Sequence, residues 1–130
     1  MILITTSRKP CVRTRRFCKD LQKALPGSHY ATRGKSNLRE TLKEEKTIYV
    51  TDRKGNPGRF EVYHRGNRLL SISIRGVRLS DESKKAIPPL EGELSKSISD
   101  ILDIKEGIIM QYDDSIVFKN GPEIMVSKVE

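Results

Sequence analysis

"ILITTSRKPCVRTRRFCKD", Ile2 to Asp20, joins a short apolar run to a strongly basic segment. "ILIT" (Ile2–Thr5) is continuous and apolar, as a strand buried on both faces should be. From Thr5 to Asp20 there are six basic residues and one acid. Pro10 fits the first turn of a helix, where its missing N–H costs nothing. Phe17, Leu21, Ala24 and Leu25 then recur at i, i+4, i+7 and i+8, the apolar stripe of an amphipathic helix. Arg13, Arg16 and Lys23 fall largely off that stripe. "LPGS" (Leu25–Ser28) ends the helix. The segment therefore predicts strand, basic turn, helix.

The pattern repeats once. "SHYAT" is suited to a short strand, "RGKSN" to a loop, and "NLRETLKEEK" to a helix capped by Ser36 or Asn37. "TIYVT" (Thr47–Thr51) is a further strand. A β-α-β-α-β start argues for parallel strands with helices packed on the sheet. Hairpins follow. "DRKGNPGR" is a glycine-rich tip carrying Arg53, Lys54 and Arg59. "FEVYHR" and "LLSISI" pair around Gly66-Asn67, and a three-residue loop with a bulge sets Val62 opposite Ile72 and Phe60 opposite Ile74. "LSDESKKAIPPLEGE" is the one candidate linker. Leu94, Ile98, Ile101 and Leu102 mark a second amphipathic helix. "GIIMQY-DDS-IVFKN" reads as a hairpin and "EIMVSKV" as a last strand. The expected fold is α/β, a mixed sheet with packed helices, built as one domain over residues 1–130.

Charge is distributed unevenly. Residues 1–78 hold 19 Lys/Arg against 6 Asp/Glu, a surplus of +13; residues 79–130 hold 6 Lys against 11 Asp/Glu, a balance of −5. All twelve arginines lie at or before Arg78. Arginine suits paired phosphate contacts and base stacking, so the basic half implies a polyanion partner, most often nucleic acid. Arg8 and Lys9 follow the first strand and precede a helix; Arg33 and Lys35 follow the second. Both pairs should reach the C-terminal edge of the parallel strands, where anions collect. The candidate interface is Arg8, Lys9, Arg13, Arg15, Arg16, Arg33, Lys35 and Arg39. Tyr30, Tyr49 and Tyr63 are too few for a base-stacking platform, so contacts should fall on phosphate and sugar.

Other motifs carry less. "RGKS" (Arg33–Ser36) lacks the earlier glycine of a phosphate-binding loop, because His29 stands at that position. Asp113-Asp114, between two apolar strands, reads as a turn rather than a metal or catalytic pair. Cys11 and Cys18 are seven apart, a spacing for neither a helical disulfide nor a zinc site, and read as reduced thiols of a cytoplasmic protein. His29 and His64 have no nearby nucleophile or second histidine. No metal, no cofactor and no membrane span is expected.

"ITTSRKP", the basic helix ending in "LPGS", "RGKSNLRE" and "IVFKNGPEIMVSKV" together resemble the Brix-domain family of ribosome-biogenesis proteins, in its compact archaeal form. Ser7, Arg8 and Pro10 match the opening motif, Arg33 and Gly34 the loop motif, and Gly121 and Pro122 the closing motif. The resemblance implies two similar halves related to an anticodon-binding fold. It also implies binding to ribosomal RNA or its precursor during subunit assembly, without catalysis. Where the family often has a basic residue after Gly-Pro, this chain has Glu123, in keeping with the acidic second half. That half is suited to facing other ribosome-assembly proteins. A tRNA-binding accessory module and an RNA-processing enzyme using Asp113 and Asp114 stay open as alternatives.

Overall fold

The computed structural model describes residues 2–32, 38–82, 92–112 and 114–130. In chain order these form β1 (Ile2–Thr6), α1 (Val12–Ala24), β2 (Ser28–Tyr30), α2 (Leu38–Thr41), β3 (Lys46–Arg53), β4 (Asn56–His64) and β5 (Asn67–Arg78). There follow α3 (Glu93–Leu102), β6 (Ile109–Tyr112), β7 (Ser115–Phe118) and β8 (Glu123–Val129). The strands make one mixed sheet in the order β2-β1-β3-β4-β5-β8-β7-β6. β1 runs parallel to both β2 and β3, as the βαβαβ start requires, and every other pairing is antiparallel.

The apolar stripes behave as read. Phe17 and Leu21 of α1 and Ile98 and Leu102 of α3 are buried in one cluster with Ile4, Ile48, Phe60, Val62, Ile72, Ile116 and Phe118. Each such side chain contributes roughly 1.5–3 kcal/mol by leaving water. Gly121 lets α1 sit close, since a methyl there would stand 2.5 Å from Ala24 Cβ and 3.2 Å from Phe118 Cβ. The Gly121-Pro122 motif is thus a packing device beneath the first helix.

Three local expectations are corrected. α1 begins at Val12 with Cys11 as its cap, so Pro10 precedes the helix. Cys11 Sγ accepts from the Thr14 N–H, while the Cys11 N–H is taken by Asp52 at 2.7 Å. The second helix is a single turn, because the chain is drawn off after Leu42: the Arg65 N–H reaches the carbonyls of Glu44 and Glu45, both at 3.2 Å. The β4–β5 hairpin turns at Arg65-Gly66, both at positive φ, with His64 opposite Asn67. A bulge then sets Val62 opposite Leu70 and Phe60 opposite Ile72. The bulge was expected, but the register differs by two residues. A shift of two keeps every side chain on its own face, so alternation alone could not choose between the registers.

The described part of the linker is fixed in place. Leu79 is buried, and Asp20 accepts from the Ser80 N–H at 2.7 Å and the Ser80 hydroxyl at 2.9 Å. Pro88, Pro89, Arg33, Lys35, Ser36, Asn37 and Asp113 lie outside the described residues.

Candidate nucleic-acid interface

Parallel pairing decides which loops meet. Thr6 at the end of β1 lies opposite Val50, and β3 continues past it to Arg53. The β1–α1 turn and the β3–β4 tip therefore leave the same edge of the sheet. The bond from the Cys11 N–H to Asp52 ties the two together. β5 also ends here, because β3, β4 and β5 alternate in direction.

The eight predicted residues separate into distinct situations. Arg8, Lys9 and Arg15 are exposed, and none pairs with a carboxylate among the described residues. Arg13 is half-buried; its Nη2 donates to the Val77 carbonyl at 2.8 Å and to Glu82 at 3.0 Å. Arg16 is exposed but bonds Asp81 at 2.8 Å. Arg39 is exposed on α2. Arg33 and Lys35 lie in the loop outside the described residues.

Two cations at this edge were read in the sequence as a hairpin tip but not as part of the interface. Arg53 and Lys54 are exposed, and neither pairs with a carboxylate among the described residues. The signal was available: once β1 and β3 are read as parallel, the loops after them must share an edge.

Backbone geometry marks the Lys9 and Lys54 turns at this edge, and the Arg65 turn at the opposite edge of the sheet. Lys9 has φ 53°, Lys54 φ 50° and Arg65 φ 49°. Left-handed backbone costs a side-chain-bearing residue roughly 1–2 kcal/mol. Lys54-Gly55 and Arg65-Gly66 are two-residue turns with both φ positive, positions that favour Asn, Asp or Gly first. Charge stands there in place of the easier residue.

The helix start is not an empty anion site. Asp52 already occupies the Cys11 N–H, with its Oδ1 buried and unpartnered. Burial, and secondarily the Asp52 charge, pushes the Cys18 thiol well up, so it stays protonated. Further along, the arginines are matched to acids. Arg75 bonds Asp114 at 2.9 Å, Arg68 bonds the buried Glu61 at 3.1 Å, and Arg78 stands 3.8 Å from Glu123. Glu123 is 5% exposed, so the departure after Gly-Pro is a buried partner for the last arginine of the chain. Among the described residues, no three His, Cys, Asp or Glu side chains gather as metal ligands, and no helix is long and apolar enough to cross a membrane.

The chain is similar to curated proteins of one description. It is 31% identical over 125 residues to a probable Brix domain-containing ribosomal biogenesis protein of Aeropyrum pernix, covering 88% of this chain and 68% of that one. A protein of the same description from Methanopyrus kandleri is 44% identical over 101 residues, covering 70% of this chain and 53% of its own length. The chain thus spans between about half and two thirds of these two relatives. Among solved structures, a probable ribosomal biogenesis protein from Aeropyrum pernix superposes with a TM-score of 0.75 at 26% identity, covering 98% of this chain and 95% of that one. An archaeal Imp4-like protein superposes at 0.72 with 25% identity and 98% of each chain covered. No family model matches.

Proposed function

This chain belongs to the family of Brix domain-containing ribosomal biogenesis proteins, and from that premise we propose that it binds folded ribosomal or precursor RNA, without a chemical step. The observation that carries the reading is the set Arg8, Lys9, Arg15, Arg53 and Lys54. These cations are exposed, unpaired with carboxylates among the described residues, and clustered at one sheet edge. Cations on two neighbouring loops and the first turn of α1 suit a phosphate backbone, whose contacts fix orientation rather than sequence. Val12, 63% exposed between them, offers an apolar surface for a ribose. Arg33 and Lys35, outside the described residues, remain candidates from the sequence, and residues 1–130 act as one unit. The acidic second half is suited to other assembly proteins.

The same features support a binder over an enzyme. Asp114 is held by Arg75, which leaves it poorly placed to serve as a free metal-binding carboxylate.

The test is affinity for a structured ribosomal RNA fragment against salt. Each neutralised phosphate gives a log–log slope of about −0.7 to −0.9. Arg8→Ala with Arg15→Ala should make the slope shallower by up to about two contacts' worth, with related RNAs weakened by similar factors and the RNA left uncut in Mg²⁺. Coincident slopes for wild type and a folded double variant would sink the reading.

A further inference from the structure

A groove opens beside the basic edge, between the β3–β4 tip and the end of β5, with a volume of about 480 Å³. Arg53 and Lys54 supply cations around it, Arg75 lines it while bonded to Asp114, and Pro57, Ile74 and Val77 supply apolar surface. Pro57, Ile74 and Val77 are all buried, whereas the three cations are exposed. The groove exists because both of its walls are irregular. The β3–β4 ladder carries an extra residue on β4, Gly58, beside Thr51 and Asp52, and the β5–β8 ladder carries Ser127 extra on β8 and Arg75 extra on β5. Bulges bend a strand and re-aim its side chains.

Its chemistry is that of a split site. A phosphate alone would not use the apolar floor, and an apolar ligand would not use Arg53 and Lys54. The volume falls within the roughly 300–1,000 Å³ of small-molecule sites. Lys54 adds an independent sign. It stands at φ 50° in a turn that glycine would form with less strain, and residues held in costly backbone conformations cluster at functional positions. Among the described residues no aromatic lines the groove, so a base held there would lie on aliphatic surface and on guanidinium planes.

We propose that this groove receives one unpaired nucleotide of the bound RNA, its base on Pro57, Ile74 and Val77 and its phosphate beside Arg53 and Lys54. This rests on the reading of the edge as an RNA surface and gives that surface a preference. A paired stem meets only the turn cations, and a stem with an extruded nucleotide meets the groove as well.

Two RNA hairpins of equal length decide it, one fully paired and one with a single bulged nucleotide, with affinities measured at one salt concentration. The bulged RNA should bind about tenfold more tightly, a difference of about 1.4 kcal/mol. Ser127→Trp at the lining of the groove adds bulk without charge. It should remove that preference and leave the paired stem's affinity unchanged. Lys54→Gly, which the turn backbone accepts, should weaken the bulged RNA more than the paired one. Equal affinities in the wild type, or a preference that survives Ser127→Trp in a protein with an unchanged melting curve, overturns the groove while leaving the RNA surface standing. Failure of the wild type to bind either hairpin overturns both.

Discussion

Two regions of one basic stretch do opposite things. In the β1–α1 turn, Arg8 and Lys9 are exposed and, among the described residues, unpaired with carboxylates, and Lys9 is held in left-handed backbone. One helical turn later, on the flank of α1 that faces the exit of β5, Arg13 and Arg16 are clasped by Glu82 and Asp81, and Asp20 holds Ser80. Charge in the turn costs folding energy and is free for a partner. Charge on the flank helps fix the path of the chain after β5. A count of basic residues cannot distinguish the two uses, since all four cations lie within nine residues of each other.

The largest effect expected from breaking this contrast is on the flank. Asp20 is 8% exposed and accepts two hydrogen bonds from Ser80. Hydrogen bonds to charged groups contribute about 1.5–3 kcal/mol each, less where the donor can turn to water. Asp20→Ala should therefore lower stability by about 2 kcal/mol. Arg8→Ala should change it by less than about 0.5 kcal/mol. Urea midpoints of the two variants test the division. Equal shifts would mean that turn and flank are the same kind of surface.

A smaller effect of opposite sign belongs to the turn. Lys9→Gly relieves the left-handed strain but frees the unfolded chain, two terms of similar size. The net gain should be about 0.5 kcal/mol, accompanied by weaker RNA binding. A variant that is both less stable and unchanged in binding would show Lys9 to be a structural residue after all.

Much of this was legible before any coordinates. Apolar period assigned α1, α3 and most strands, because burial on a helix or sheet leaves a periodic trace in the residues themselves. The parallel start followed from alternating strands and helices. Three things left no such trace. The β4–β5 register escaped because two registers two residues apart bury the same faces. The length of α2 escaped because it depends on Arg65, some twenty residues away, drawing on the carbonyls of Glu44 and Glu45. The clasp on Arg13 and Arg16 escaped because it depends on where the chain goes after Arg78. The adjacency of Asp81 and Glu82 to the last arginine was the available sign. For the proposed interface, charge divides the sequence into a basic and an acidic half, and the fold separates the cations unpaired with carboxylates among the described residues from the matched ones and sets Arg53 and Lys54 at the same edge.

The smallest expected effect probes the clasp through pH. The Glu82 carboxyl is held below its ordinary value of 4.5, first by the Leu79 N–H, which donates to it at 2.7 Å, and then by the Arg13 guanidinium. A carboxyl lowered in the folded state stabilises fully above its unfolded value and loses that contribution as pH falls through the lowered one. Glu82 lies at the surface, so the effect is a small change of slope rather than a collapse. At neutral pH, Glu82→Gln should be slightly less stable than the wild type. The gap should close as pH falls below about 4.5, because the wild type alone must take up a proton there. High salt should narrow the neutral-pH gap through the Arg13 pair and leave the bond from Leu79 largely untouched. A gap that stays constant from neutral to acid pH would show that Glu82 holds its place by shape alone. The contrast between clasped and free arginines would then rest on the pair of Asp81 with Arg16.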